Sequence, residues 1–264
     1  HTLSLHDALP IYDERNHHIL IARDRFGIKP LVYAHRDNRF YFGSSLGTIM
    51  PFLERPEIDG ESLSLYLGLS YIPAPKTILQ GVSKLEPGYF LSVDSSGLKC
   101  EEYYEVSAID KKDIGYEEAK KELKIRLEES VQKRLVSDVP LGTFLSGGVD
   151  SSVISLLASR HKKDIPAFSI GFPDQPYFDE SQRAAVTAKH LGLDHHVVEV
   201  REKDLDEHLE DILSAMDEPF ADSSGILVNL LSEFAAKYVK VALSGDGADE
   251  LLGGYNKHRG LLQY

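Results

Sequence analysis

The sequence predicts an α/β protein: a doubly wound parallel sheet in its C-terminal part, preceded by a β-rich segment. Three observations lead there. From residue 116 onward, apolar runs of strand length alternate with stretches of helical periodicity. Before residue 102, short aromatic and β-branched runs are bounded by Asn, Asp, Gly and Pro. Between these regions the composition turns polar, with Lys111-Lys112-Asp113. The expected organisation is a foreign segment over 1–10, a β-rich domain over 11–101, a linker over 102–115 and an α/β domain over 116–264.

In the first domain, Ile19–Ala22 and Arg39–Phe42 read as strands. Pro73-Ala74-Pro75 marks an extended connection. Tyr89–Val93 is a strand between the turn signals Pro87-Gly88 and Asp94-Ser95-Ser96-Gly97. In the second, Tyr116, Ala119, Leu123, Leu127 and Val131 recur at helical spacing. Val139–Leu145, Ala167–Ile170, His196–Val200 and Val239–Leu243 are strand candidates. The helices between them are expected around Val153–Leu157 and over Arg183–Leu191, Leu205–Ala215 and Ile226–Tyr238.

The 264 residues have an ordinary hydrophobic share of 42% and a net charge of −13, which argues against a nucleic-acid or anionic-membrane surface. An anionic ligand remains compatible, because a local backbone cradle outweighs a distant field. One cysteine, Cys100, excludes an intramolecular disulfide and fits a reducing, cytoplasmic setting. No apolar run approaches the roughly 20 residues of a membrane span.

The segment Leu145-Ser146-Gly147-Gly148-Val149-Asp150-Ser151-Ser152 falls between a strand and a helix, where open α/β sheets bind ligands. Adjacent glycines let the backbone approach an anion, and the helix that follows offers unpaired N–H groups and the positive end of its dipole. Ser146, Ser151 and Ser152 can donate to phosphate oxygens, whereas Asp150 suits a magnesium ion bridging phosphates. A capped β–α turn is the plainer alternative, but it does not need two glycines and three serines around one aspartate. No Gly-Lys-Ser/Thr follows, so this is not a Walker loop.

A second motif, Ser244-Gly245-Asp246-Gly247-Ala248-Asp249-Glu250-Leu251-Leu252-Gly253-Gly254-Tyr255, also follows a strand. Gly245 and Gly247 permit close backbone approach, and three acids exceed what a plain turn holds without a cation. Asp249 opposing Asp150 would hold magnesium from the other side; a loop of solvated acids is the alternative.

The first motif alone resembles the pyrophosphate loop of ATP pyrophosphatases. The two together resemble glutamine-hydrolysing asparagine synthetases, over the chain from Ile11 onward. Arg23-Asp24-Arg25-Phe26-Gly27-Ile28-Lys29-Pro30-Leu31 and Gly43-Ser44-Ser45 resemble the end of that family's Ntn-type amidotransferase domain, though by physics an ion-paired turn suffices. The resemblance implies an adenine nucleotide α-hydrolase-like fold and formation of asparagine from aspartate, ATP and glutamine or ammonia, through β-aspartyl-AMP. It implies that Leu145 and Ile170 line the adenine and ribose pocket, that Ser244 and Gly245 touch the nucleotide, and that Asp150 and Asp249 bind Mg2+. Asp246 takes the position credited with ammonia attack, where many members carry Glu. Small molecules are the implied partners, and a homodimer is compatible.

Family members of this type begin with a catalytic cysteine, whereas residue 1 here is His and Cys100 has no nearby His in the sequence. The expectation is a piece lacking the glutaminase nucleophile and the end of the synthetase domain, unable to use glutamine. Phe178-Asp179-Glu180-Ser181 reads as a helix cap. Asp217-Glu218 and Asp222-Ser223-Ser224 read equally as an active-site rim or a cap. His190, His195 and His196 lack partners at metal-ligand spacing. Other readings of the whole are a related amide ligase or β-lactam-forming synthetase, and a degenerate nucleotide-binding module.

Overall fold

The computed structural model describes residues 9–108 and 112–261. The chain divides into two compact units, residues 1–112 with 213–222 and residues 113–212 with 223–264.

The first unit holds two antiparallel sheets. One has the order β1 (Leu9–Asp13), β2 (His18–Ala22), β6 (Tyr89–Asp94), β7 (Gly97–Glu102). The other has β4 (Arg39–Gly43), β3 (Val32–Arg36), β5 (Ser83–Lys84). Ile21, Leu31, Leu85 and Leu91 form one core cluster, and Val32, Ala34, Leu46, Ile49 and Leu79 belong to another. Leu9 and Pro10, expected to stand outside the fold, pair with Ala22 and Ile21; residues 1–8 lie outside the described residues. Cys100 lies on β7 opposite Leu91. Its thiol is pushed up by desolvation and by the charge of Glu86, against a hydrogen bond with Tyr33.

This unit also has two helices absent from the sequence expectation, α1 (Leu46–Ile49) and α2 (Gly60–Leu69). The run Ser62-Leu63-Ser64-Leu65 alternates like a strand. Helix starts there because the Asp59 carboxylate accepts the Ser62 N–H at 2.7 Å, and it ends at Ser70 in the left-handed region. In the Arg23–Leu31 stretch, Asp24 accepts the N–H groups of Phe26, Ile28 and Lys29. Arg23 donates to the carbonyls of Gly27, Lys29 and Leu85. Both residues thus brace a turn.

The second unit is a four-stranded parallel sheet of order β10 (His195–Glu199), β9 (Ala167–Gly171), β8 (Leu141–Phe144), β11 (Val241–Leu243). Its helices are α3 (Tyr116–Arg134), α4 (Val149–His161), α5 (Ser181–Leu191), α6 (Glu202–Ala215, whose last residues belong to the first unit), α7 (Ser224–Ala235), α8 (Ala248–Leu252) and α9 (Asn256–Leu261). Alternation along β8 and β9 sends side chains to both faces. Leu141 packs with Val131, Leu157 and Ala158 on α3 and α4, and Ala167 packs with Ala184 and Ala188 on α5. Phe168 points the other way, to Ala235 on α7 and Val239. Two buried hydroxyls, Thr143 on β8 and Ser155 on α4, bond at 3.1 Å and tie helix to strand. Among the described residues no helix is long and apolar enough to cross a membrane.

Candidate active site

The chain runs outward from β8 to β9 and β10, then returns to place β11 on the other side of β8. Strand order therefore reverses between β8 and β11, and the crevice at their carboxyl ends is where such sheets bind ligands. Both sequence motifs leave the sheet there, residues 145–148 after β8 and 244–247 after β11.

The first loop is held tightly. Leu145 donates its N–H to the Phe168 carbonyl at 2.8 Å, and its carbonyl accepts the Ser169 hydroxyl. Its side chain is 1% exposed among Ala167, Ala184 and Ala188, so Leu145 anchors the start of the loop in the core. Gly147 has φ +77°, and a Cβ there would fall 2.8 Å from Ala184 N and Arg183 Cβ at the start of α5. Only glycine fits both constraints. Gly148 meets nothing closer than Ser146 Oγ at 3.3 Å and leaves its side open.

Helix α4 starts with Gly148 as N-cap and no side-chain cap. The first helical bond from this cap runs from Ser152 N–H to the Gly148 carbonyl. The preceding turn therefore presents donors and the positive dipole end to the loop. Ser146 and Ser151 meet each other instead: Ser146 N–H donates to Ser151 Oγ at 3.2 Å, and the two hydroxyls lie 2.9 Å apart. A phosphate entering the loop would exchange these contacts for its own oxygens.

The second loop closes on the first. A Cβ on Gly245 would lie 2.8 Å from Ser151 N and 3.0 Å from Asp150 Cβ. The backbone after β11 thus rests on the first turn of α4, beside Asp150. Ser244 Oγ donates to Asp246 at 2.8 Å, and Tyr255 donates to Glu250 at 2.6 Å. That bond pushes Tyr255 up to about 12 and lowers Glu250. Gly247, in the left-handed region, is the N-cap of α8, which carries Asp249 in its first turn. The Asp249 carboxylate lies against Gly254, where any side chain would collide with it.

Among the described residues, Asp150, Asp246 and Asp249 have no ion-pair partner. Nor do three His, Cys, Asp or Glu side chains gather there as a metal site. One or two carboxylates without a protein cage suit a magnesium ion that arrives on substrate phosphates. Ile170, half-buried, is the fourth residue of β9. An open cleft of about 350 Å³ touches Gly147, Gly148 and Ser152, but Val153, Leu156 and Leu191 make it apolar. It lies along α4 and α5, and its lining does not suit phosphates.

Asp217 and Glu218 are engaged in the first unit. Asp217 accepts the N–H groups of Leu46 at 2.7 Å and Gly47 at 3.4 Å, capping α1, and Glu218 pairs with Lys84. The helix that follows this stretch, α7, starts at its N-cap Ser223 with no side-chain cap bond, so the capping done by Asp217 serves α1 and not the helix next in sequence. Asp179 accepts the Ser181 N–H at 2.8 Å, at the start of α5. Sequence reasoning missed Arg183 beside Gly147, and Ser169 and His195 beneath Leu145. Only their placement next to the loop 145–148 marks them, which local patterns do not reveal.

Comparison with known proteins gives the family. Residues 122–263 match the family model for asparagine synthase, and residues 6–104 match that for a glutamine amidotransferase domain. Asparagine synthetase [glutamine-hydrolyzing] 1 of Bacillus subtilis is 36% identical over 255 residues, 96% of this chain and 40% of the relative. A putative asparagine synthetase [glutamine-hydrolyzing] 2 of Methanocaldococcus jannaschii is 36% identical over 259 residues, 95% of this chain and 50% of the relative. Amidase chry2 of Gibberella zeae is 30% identical over 271 residues, covering 96% and 40%. The chain thus spans 40–50% of the length of these relatives. With the ATP-pyrophosphatase type of sheet preceded by a β-rich unit that matches a glutamine amidotransferase domain, these matches show that the chain belongs to the asparagine synthase family.

Proposed function

We propose that this chain carries the adenylating site of a glutamine-dependent asparagine synthetase, which joins aspartate and ammonia at the expense of ATP. The observation that carries the reading is the contact of the two loops, Gly245 against Asp150 and Ser151, at the β8–β11 switch point. The loop 146–152 and the open turn of α4 receive the β- and γ-phosphates through N–H groups and the hydroxyls of Ser146, Ser151 and Ser152. Ser244, Gly245 and Gly247 bring backbone against the nucleotide from the β11 side, and Leu145 and Ile170 border its adenosine end.

The aspartate β-carboxylate attacks the α-phosphorus, and pyrophosphate leaves into donors already oriented toward it, a fixed electrostatic stabilisation. Asp150 and Asp249 would hold Mg2+, which neutralises charge on the departing pyrophosphate. Adenylation replaces a poor leaving group, oxide, with AMP. Asp246, its carboxylate held by Ser244, stands in the second loop to take a proton as ammonia attacks β-aspartyl-AMP. Glutamine is the ammonia source of the whole enzyme, whose amidotransferase domain continues the fold of the first unit. The setting is the cytoplasm.

The experiment is exchange of labelled pyrophosphate into ATP by the purified chain, with aspartate varied against other carboxylates. Aspartate-dependent exchange is expected. Exchange driven by a different carboxylate would favour a related amide ligase. Failure to bind Mg-ATP while folded would overturn the reading.

A further inference from the structure

We propose that His195 and Ser169 form a buried relay that fixes the orientation of the phosphate loop, with His195 as its positioning residue. This rests on the reading of residues 146–152 as that loop. Ser169, on β9, is 2% exposed and lies between two partners. Its hydroxyl donates to the carbonyl of Leu145, and its Oγ lies 2.8 Å from His195 Nε2, at the start of β10. A carbonyl can only accept, so the single hydroxyl proton is committed to Leu145. The Ser169 oxygen must then accept from His195, which places a proton on Nε2.

The relay acts on one peptide group. The bond between Leu145 and Ser146 joins the last buried residue after β8 to the first residue of the loop. Its carbonyl is held by Ser169, and its N–H donates to Ser151 Oγ at 3.2 Å on the first turn of α4. Both ends of one planar unit are pinned, so the direction in which Ser146 leaves the strand is set. Removing the Ser169 bond would leave that plane held at its N–H end alone and would leave a buried carbonyl without its side-chain donor. Ser146 and the donors following it would then meet a phosphate from a range of orientations, at a loss of preorganisation.

The neighbouring histidine is differently employed. His196 bonds Asp194 at 2.9 Å and stacks on Phe168 and Tyr238. Burial, reinforced by the charge of His196, lowers the pKa of His195, which favours the neutral ring. The Nε2–H donor is present in either protonation state, so the relay depends on the donor and not on charge.

The test is titration of Mg-ATP into the full chain and its His195→Leu, His195→Gln and Ser169→Ala variants, with thermal melts to establish folding. Glutamine keeps an N–H donor near the reach of Nε2, whereas leucine keeps bulk alone. His195→Leu and Ser169→Ala are expected to weaken Mg-ATP binding about five- to tenfold, and His195→Gln to recover it to within about twofold. If Ser169→Ala does not fold, the two His195 variants decide the outcome. Parent-like binding by His195→Leu, or equal losses in His195→Leu and His195→Gln, overturns the relay while the phosphate-loop reading stands. No binding by the unsubstituted chain overturns both.

Discussion

Asp150→Asn is expected to weaken magnesium-dependent ATP binding by about a hundredfold or more, with the chain still folded. Asparagine keeps the shape of the side chain, so a loss reports charge. Asp150 stands in the first turn of α4, where an acid stabilises the helix by only about 0.3–1 kcal/mol through its dipole. That fixes the expected cost in stability as small. The cost in ligand binding is large because no positive side chain pairs with Asp150 among the described residues, and its charge suits a cation. Calorimetric titration of ATP with magnesium varied separates the two effects. Unchanged magnesium dependence in the variant would remove Asp150 from the site.

Gly245→Ala is the second large effect, and its cause is steric. The new methyl would lie 2.8 Å from the backbone nitrogen of Ser151 and 3.0 Å from Asp150 Cβ. Neither neighbour is the far end of a flexible side chain, so the loop after β11 must lift away from α4. Overpacking of this kind costs about 1–3 kcal/mol. If the strain falls on the convergence of the two loops, ATP affinity drops by roughly ten- to a hundredfold. Gly60→Ala is the control, since a Cβ there meets nothing within 4 Å. ATP binding by Gly245→Ala equal to that of the control would show that loop contact is not needed for the site.

The alternation of strand and helix after residue 116 was legible because each element carries its own periodicity. The two loops were legible for a different reason, since glycines, hydroxyls and acids concentrate where backbone must approach a ligand. What escaped was partly local and partly long-range. One escape was local: Asp59, as N-cap, starts α2 on an alternating Ser-Leu run with one hydrogen bond to Ser62, three residues on. The pairing of Cys100 with Leu91 needs a two-residue turn at Ser95-Ser96 followed by a further strand in a polar stretch. Asp217 caps a helix whose first bonded N–H is 171 positions away in sequence, and Ser169 touches His195 across 26 positions. Spacing within a motif could not report either contact.

The most direct measurement asks whether Asp150 and Asp249 reach one ion, without ATP or catalysis. In a Cys100→Ser background, Asp150→Cys and Asp249→Cys would be made singly and together and titrated with cadmium, following thiolate-to-metal absorption. The predicted result is one cadmium per chain bound by both thiolates, far more tightly in the pair than in either single variant. Equal, weak binding by the pair and the singles would place the two side chains too far apart to share a cation.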